Sequence, residues 1–145
     1  MTGTNRASTE NIGFLLAKAS QRFNELLAER FARHGFADVR PSYGSVLVPL
    51  FEQDGLRLGE VAARARLSKQ AMTRLVALCE RDGLVARERD QADGRAFRVS
   101  LTDRGHALRA VAERALQELD DALVTTLGHQ DRAALIAALK GVIQL

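Results

Sequence analysis

Five polar residues, Ser68, Lys69, Gln70, Thr73 and Arg74, fall within the first two helical turns of the segment SKQAMTRLVALCERDG. At the helical period, Lys69, Gln70, Thr73 and Arg74 share one side, while Ala71, Met72, Leu75, Leu78 and Cys79 share the other. Side chains of the first group can read a nucleic-acid duplex. Gln makes paired hydrogen bonds to adenine, Arg makes them to guanine, and Thr reaches a base edge or a thymine methyl. Ser68 and Lys69 suit phosphates, because the first amides of a helix point outward there. Any amphipathic helix with a solvated polar side shows the same pattern, so the neighbouring elements must decide.

Those neighbours have a recognisable order. A short helix is expected over 58–64, a turn at Arg66-Leu67, and a second helix capped by Ser68 that runs to about Asp82 and stops at Gly83. Two alternating strands follow over 84–89 and 96–101, joined by the tip 90–95. Helix, turn, helix and hairpin in this order make a winged helix-turn-helix, so the fold class is mainly α with a small β-wing. Gly94 allows the tight turn, and Arg95 is placed to probe a narrow minor groove. Arg87, Arg89 and Arg98 can add phosphate contacts or pair with Glu88 and Asp90. Asp93 is expected to pair with Arg95 or Arg89 and brace the tip.

Long apolar stripes flank this module. Residues 10–33 repeat Ile12, Leu15, Leu16, Ala19, Phe23, Leu26, Leu27 and Phe31 at helical steps, and Gly35 ends the helix. A shorter helix over 42–51 takes Ser42 as its expected N-cap and should be kinked or shortened by Pro49. Thr102 caps a helix that runs to about Leu127, Gly128 interrupts, and a last helix is expected over 131–143. The chain reads as one domain, 1–145, with 10–36 and 104–145 as dimerisation helices around a DNA-binding region at 42–103. The two apolar stripes either meet those of a second copy or fold back on their own core.

Composition agrees. The 145 residues carry a net charge of +3, but 56–104 holds 11 basic against 7 acidic residues, so the positive excess lies in the winged module. Aromatic residues are 5% and Trp is absent, which disfavours stacking on single-stranded bases. No paired carboxylates, nucleophile constellation or phosphate loop points to an enzyme. His34, His106 and His129 are isolated, so no metal site and no cofactor is expected. The first nine residues read as a frayed tail, with no leader-like apolar core and no membrane-length apolar run, so a cytoplasmic protein is expected.

The runs Gly83-Leu84-Val85-Ala86-Arg87, Asp93-Gly94-Arg95 and Leu101-Thr102-Asp103-Arg104-Gly105 resemble the multiple antibiotic resistance regulator (MarR) family of bacterial transcription factors. Leu78-Cys79-Glu80 departs from that family's spacing, and Pro49 departs from its usual second helix. The resemblance implies a homodimer on a palindromic double-stranded DNA operator, usually a repressor. It also implies release by a small phenolic or anionic effector, or by cysteine oxidation. The family's effector pocket would here draw on Phe14, Arg33, His34, Phe36, Tyr43 and the stretch around His106, with Arg33 holding an anionic group. The same residues could instead form an ordinary hinge core. Cys79, the single cysteine, lies on the inward side of its helix and reads as core, with a redox role as the alternative. A nonspecific architectural DNA-binding protein would share the same basic side.

Overall fold

The computed structural model describes residues 7–145, so the expected frayed tail falls mostly outside the described residues. The chain is largely helical, with one small antiparallel sheet. Helix α1 (Ile12–Arg33) opens the described fold, capped by Asn11, whose side chain accepts from the amides of Gly13 and Phe14. Gly35, at φ +85°, takes the left-handed conformation that ends α1. A single 3-10 turn, Pro41–Tyr43, then leads directly into α2 (Gly44–Glu52). Ser42 therefore lies inside that turn and is not the N-cap expected of it, because Pro41 starts the helical backbone one residue earlier. Pro49 is tolerated within α2, which continues to Glu52, and its carbonyl still accepts from Gln53 at 2.9 Å.

Strand β1 (Leu56–Arg57) is only two residues long and was not foreseen. Helices α3 (Leu58–Ala65) and α4 (Lys69–Arg81) follow, separated by Arg66 in the left-handed conformation. Strands β2 (Val85–Arg89) and β3 (Phe97–Leu101) make the hairpin. Helix α5 (Asp103–Leu127) is capped by Thr102, and α6 (His129–Ile143) starts immediately after Gly128, two residues earlier than the expected 131. The sheet order is β1-β3-β2, all antiparallel, with Arg57 opposite Arg98 and Glu88 opposite Arg98 from the other side.

The core lies where α2, α3 and α4 meet the sheet and the first half of α5. Tyr43, Val46, Leu50, Val61, Met72, Cys79, Leu84, Val99 and Leu108 are fully buried there. Val76 is buried with them, although the helical pattern of α4 had not placed it on the inward side, while Leu75 and Leu78 are only partly covered.

Two joints tie the flanking helices to this core. At the first, Thr102 donates to the Gly83 carbonyl at 2.6 Å and accepts from Gly105, which locks the start of α5 to the end of α4. At the second, Arg104 donates to the Asp82 carbonyl at 2.5 Å, pairs with Asp38 at 2.8 Å and lies over the ring of Phe36. The Arg104 guanidinium accordingly holds the Asp38 carboxyl below its ordinary value. Helix α6 has no buried residue, and Leu135, Ile136, Leu139, Val142 and Ile143 are all exposed on it.

Candidate nucleic-acid interface

Helix α4 presents its first two turns outward. The Ser68 hydroxyl accepts from the Ala71 amide at 3.1 Å, so it serves as the cap that the sequence indicates. Lys69, Gln70, Thr73 and Arg74 are exposed, while Met72, Val76 and Cys79 fix the opposite side in the core. The Thr73 hydroxyl donates back to the Lys69 carbonyl at 2.8 Å. Its donor is thus used inside the helix, leaving its methyl and its lone pairs for anything outside. No hydrogen bond or ion pair to another described residue engages the side chains of Gln70 and Arg74.

The hairpin stands beside α4. A cleft of about 450 Å³ lies between the hairpin, the start of α3 and Lys69, lined by Arg57, Gly59, Glu60, Lys69, Arg95 and Phe97 among others. Arg95 at the tip and Lys69 at the start of α4 therefore face one space. Three guanidinium or ammonium groups line it with one carboxylate, which suits an anionic backbone. The guanidinium of Arg95 has no partner among the described residues.

The other wing arginines are more committed. Arg87 pairs with Glu80 at 3.2 Å, not with Glu88 or Asp90. Arg89 donates to the Gly94 carbonyl at 2.6 Å and lies over the Phe97 ring. Arg98 meets Asp90 at 3.2 Å and donates to the Gly55 carbonyl at 2.7 Å. The brace expected of Asp93 is instead supplied by Asp90. Asp93 lies exposed at the tip and accepts from the Arg95 amide at 3.0 Å, an ordinary turn closure that needs no cation. Asp90 is buried, and a buried carboxylate requires charged partners. Arg57 and Phe97 were missed in the sequence, because a two-residue strand carries no periodic signal and a lone aromatic on a hairpin reads as core.

The six residues expected at an effector pocket do not form one cavity within a single chain. Phe14 and Arg33 sit at opposite ends of α1, about 28 Å apart at the standard helical rise. Phe36 is buried beneath Arg104, and His106 is exposed near Asp54. Tyr43 is fully buried, and its hydroxyl donates to Asp82 at 2.5 Å. Burial, and then the Asp82 carboxylate, push the Tyr43 phenol above its ordinary value, while Arg81 and then Tyr43 hold Asp82 low. Tyr43 is thus already used at the end of α4.

Cys79 has no exposed surface, and burial pushes its thiol up to about 12, with Asp82 adding to the effect. A thiol held so high has almost no thiolate to react. Brief treatment of the folded protein with peroxide and a sulfenic-acid probe should therefore leave its mass unchanged. Labelling of this single thiol would instead make it a sensor.

The sequence model of the MarR family matches residues 37–96, from the loop after α1 to the wing tip. An uncharacterized HTH-type transcriptional regulator of Mycobacterium leprae is 33% identical over 101 residues, covering 70% of this chain and 71% of that protein. The chain belongs to the MarR family. This MarR-family regulator is also 32% identical over 96 residues to the HTH-type transcriptional regulator TtmR of Methylorubrum extorquens, covering 66% of its own length and about half, 48%, of that protein. Its fold superimposes on the transcriptional repressor CouR bound to a 23-mer DNA duplex with a TM-score of 0.75 and 26% identity, covering 99% of this chain and 98% of that one. The family is one of transcriptional regulators and not of enzymes. Among the described residues no helix is long and apolar enough to cross a membrane.

Proposed function

We propose that this MarR-family regulator is a homodimeric repressor that binds a palindromic operator in double-stranded DNA. In each subunit α4 enters the major groove with Gln70, Thr73 and Arg74 toward the bases and Ser68 and Lys69 toward phosphates. Arg95 enters the adjoining minor groove, and Arg87, Arg89 and Arg98 lie along the backbone. One observation carries this reading. Lys69 at the start of α4 and the wing-tip Arg95 line the same cleft, and the exposed side chains of Gln70, Arg74 and Arg95 are uncommitted to any partner among the described residues. The relative CouR, a repressor bound to duplex DNA, supports it.

In this proposal 42–103 reads DNA, and 10–36 and 104–145 join two subunits in the cytoplasm. The exposed apolar residues of α6 and of the first turns of α1, Ile12, Phe14 and Leu15, support that division. A small phenolic or anionic effector releases the operator. Since Phe14, Arg33, His34, Phe36, Tyr43 and His106 are not gathered within one chain, its site is completed only where two subunits meet.

Selection of duplexes from a random pool by the purified protein tests the reading. A palindromic consensus bound at least about 10³-fold more tightly than random DNA at fixed salt is expected. Equal affinity for all duplexes would make the protein an architectural one. On the selected operator, Gln70→Ala should cost about 1–3 kcal/mol and relax preference at one base position. Arg95→Ala should also weaken binding, by about 1–3 kcal/mol, and unchanged affinity would remove the wing from recognition.

A further inference from the structure

Asp90 is the one buried charged side chain among the described residues. Its carboxylate collects two hydrogen-bond donors and a second cation. Oδ1 accepts from the Ala92 amide at 2.8 Å, and Oδ2 meets Arg57 Nε at 2.7 Å and Arg98 Nε at 3.2 Å. The Ala92 amide first, then the Arg57 hydrogen bond and the charges of Arg57 and Arg98, hold the carboxyl below its ordinary value. Arg57 and Arg98 occupy directly opposed positions of the antiparallel pair β1·β3. Like charges set opposite each other on neighbouring strands repel, so this register requires a counter-charge between them. Asp90 supplies it.

The placement matters because the three residues belong to different parts of the interface. Asp90 begins the wing tip that ends in Arg95, Arg98 lies on β3, and Arg57 is the residue from which α3 starts. The Arg57 amide is in turn held by Glu60 at 3.1 Å, and α3 packs against α4. Besides the strand ladder and the Arg87–Glu80 pair between β2 and α4, this carboxylate ties the tip to the start of α3, and through α3 to α4. A wing with an unpinned tip would still be a hairpin, but Arg95 would sample many positions relative to α4 and lose the benefit of being held in place before binding.

We propose that Asp90 is a positioning residue for DNA recognition, fixing the wing-tip Arg95 relative to α4 by clamping Arg57 and Arg98. This rests on the DNA-binding reading above, and its consequences can be separated from it. In the free protein, Asp90→Asn should raise hydrogen exchange at the tip amides of Ala92, Arg95 and Ala96, while the amides of α4 and α5 keep their protection. Arg57→Gln, which breaks the link from the helix side and keeps the carboxylate, should give the same local change. Tip amides as protected as in the unaltered protein in both variants would overturn the clamp, whether or not DNA is bound.

On the selected operator, Asp90→Asn should lose affinity roughly as much as Arg95→Ala, on the order of ten- to a hundredfold. The double variant Asp90→Asn/Arg95→Ala should be no weaker than either single one, while Asp90→Asn/Gln70→Ala should show the product of the two losses. A residue that merely stabilised the fold would add its loss to both partners equally, and that result would overturn the proposal. If the unaltered protein selects no duplex, the DNA-binding reading fails, and the exchange measurement alone decides the clamp.

Discussion

Gly105→Ala should destabilise the protein by about 3 kcal/mol or more, although alanine is the better helix former. Two effects compete at this position. Inside α5, replacing Gly by Ala gains up to about 1 kcal/mol of helix propensity. Against that, a β-carbon here would overlap the Leu84 carbonyl oxygen, a backbone atom, and would lie 3.1 Å from the Leu101 side chain. Leu84 O cannot move aside, because it accepts from the Thr102 amide at 3.1 Å, and that bond belongs to the joint between the hairpin and α5. The clash therefore wins. A thermal melt at fixed protein concentration should show the midpoint lowered by roughly 10 °C. An unchanged or higher midpoint would mean that α5 slides outward at no cost.

The second large effect concerns α6. Leu139→Glu should convert the proposed dimer into a monomer while leaving the helical content of the subunit intact. Leu139 is 38% exposed within one chain, so the substitution removes little of the core. In a two-fold interface each substitution appears twice, and burying two carboxylates without partners costs several kcal/mol each. The dimer dissociation constant should rise by at least about 10³-fold, the equivalent of roughly 4 kcal/mol. Sedimentation of both proteins at equal micromolar concentration reads this directly. A variant that sediments as a dimer would show that the apolar side of α6 is not what joins the subunits.

Much of the architecture was legible because it rests on local signals. Ser68 and Thr102 announce helix starts by capping, and Gly35 and Gly83 announce helix ends by their positive φ. The alternation in 84–101 gives both long strands to within a residue. What stayed hidden is set by distant partners. Leu56 and Arg57 form a strand only because Val99 and Arg98 lie beside them. Ser42 looks like a cap until Pro41 begins the turn before it.

At the site, the outward residues of α4 followed from periodicity alone. In the wing, the partners that the sequence suggests for Arg87 and Asp93 differ from those observed. Asp90 and Asp93 are equally acidic in the sequence, and only burial distinguishes a clamp from a turn closure. Nothing in the neighbourhood of Tyr43 announces its hydrogen bond to Asp82, 39 residues away.

The contacts of Arg104 have a mechanical consequence. This one side chain sits at the foot of α5 and grips both the loop after α1 and the carbonyl of Asp82, which caps α4. Helix α5 extends 25 residues from that grip, about 37 Å. It is therefore a lever with its fulcrum at the end of α4. A tilt of about 5° at the fulcrum carries the far end roughly 3 Å along its arc, by the length of a helix this size. Run in reverse, in the proposed dimer a displacement of a few ångströms where the subunits join would re-aim each α4 by only a few degrees. On the proposed operator, the joint would convert coarse motion far from DNA into fine adjustment at it.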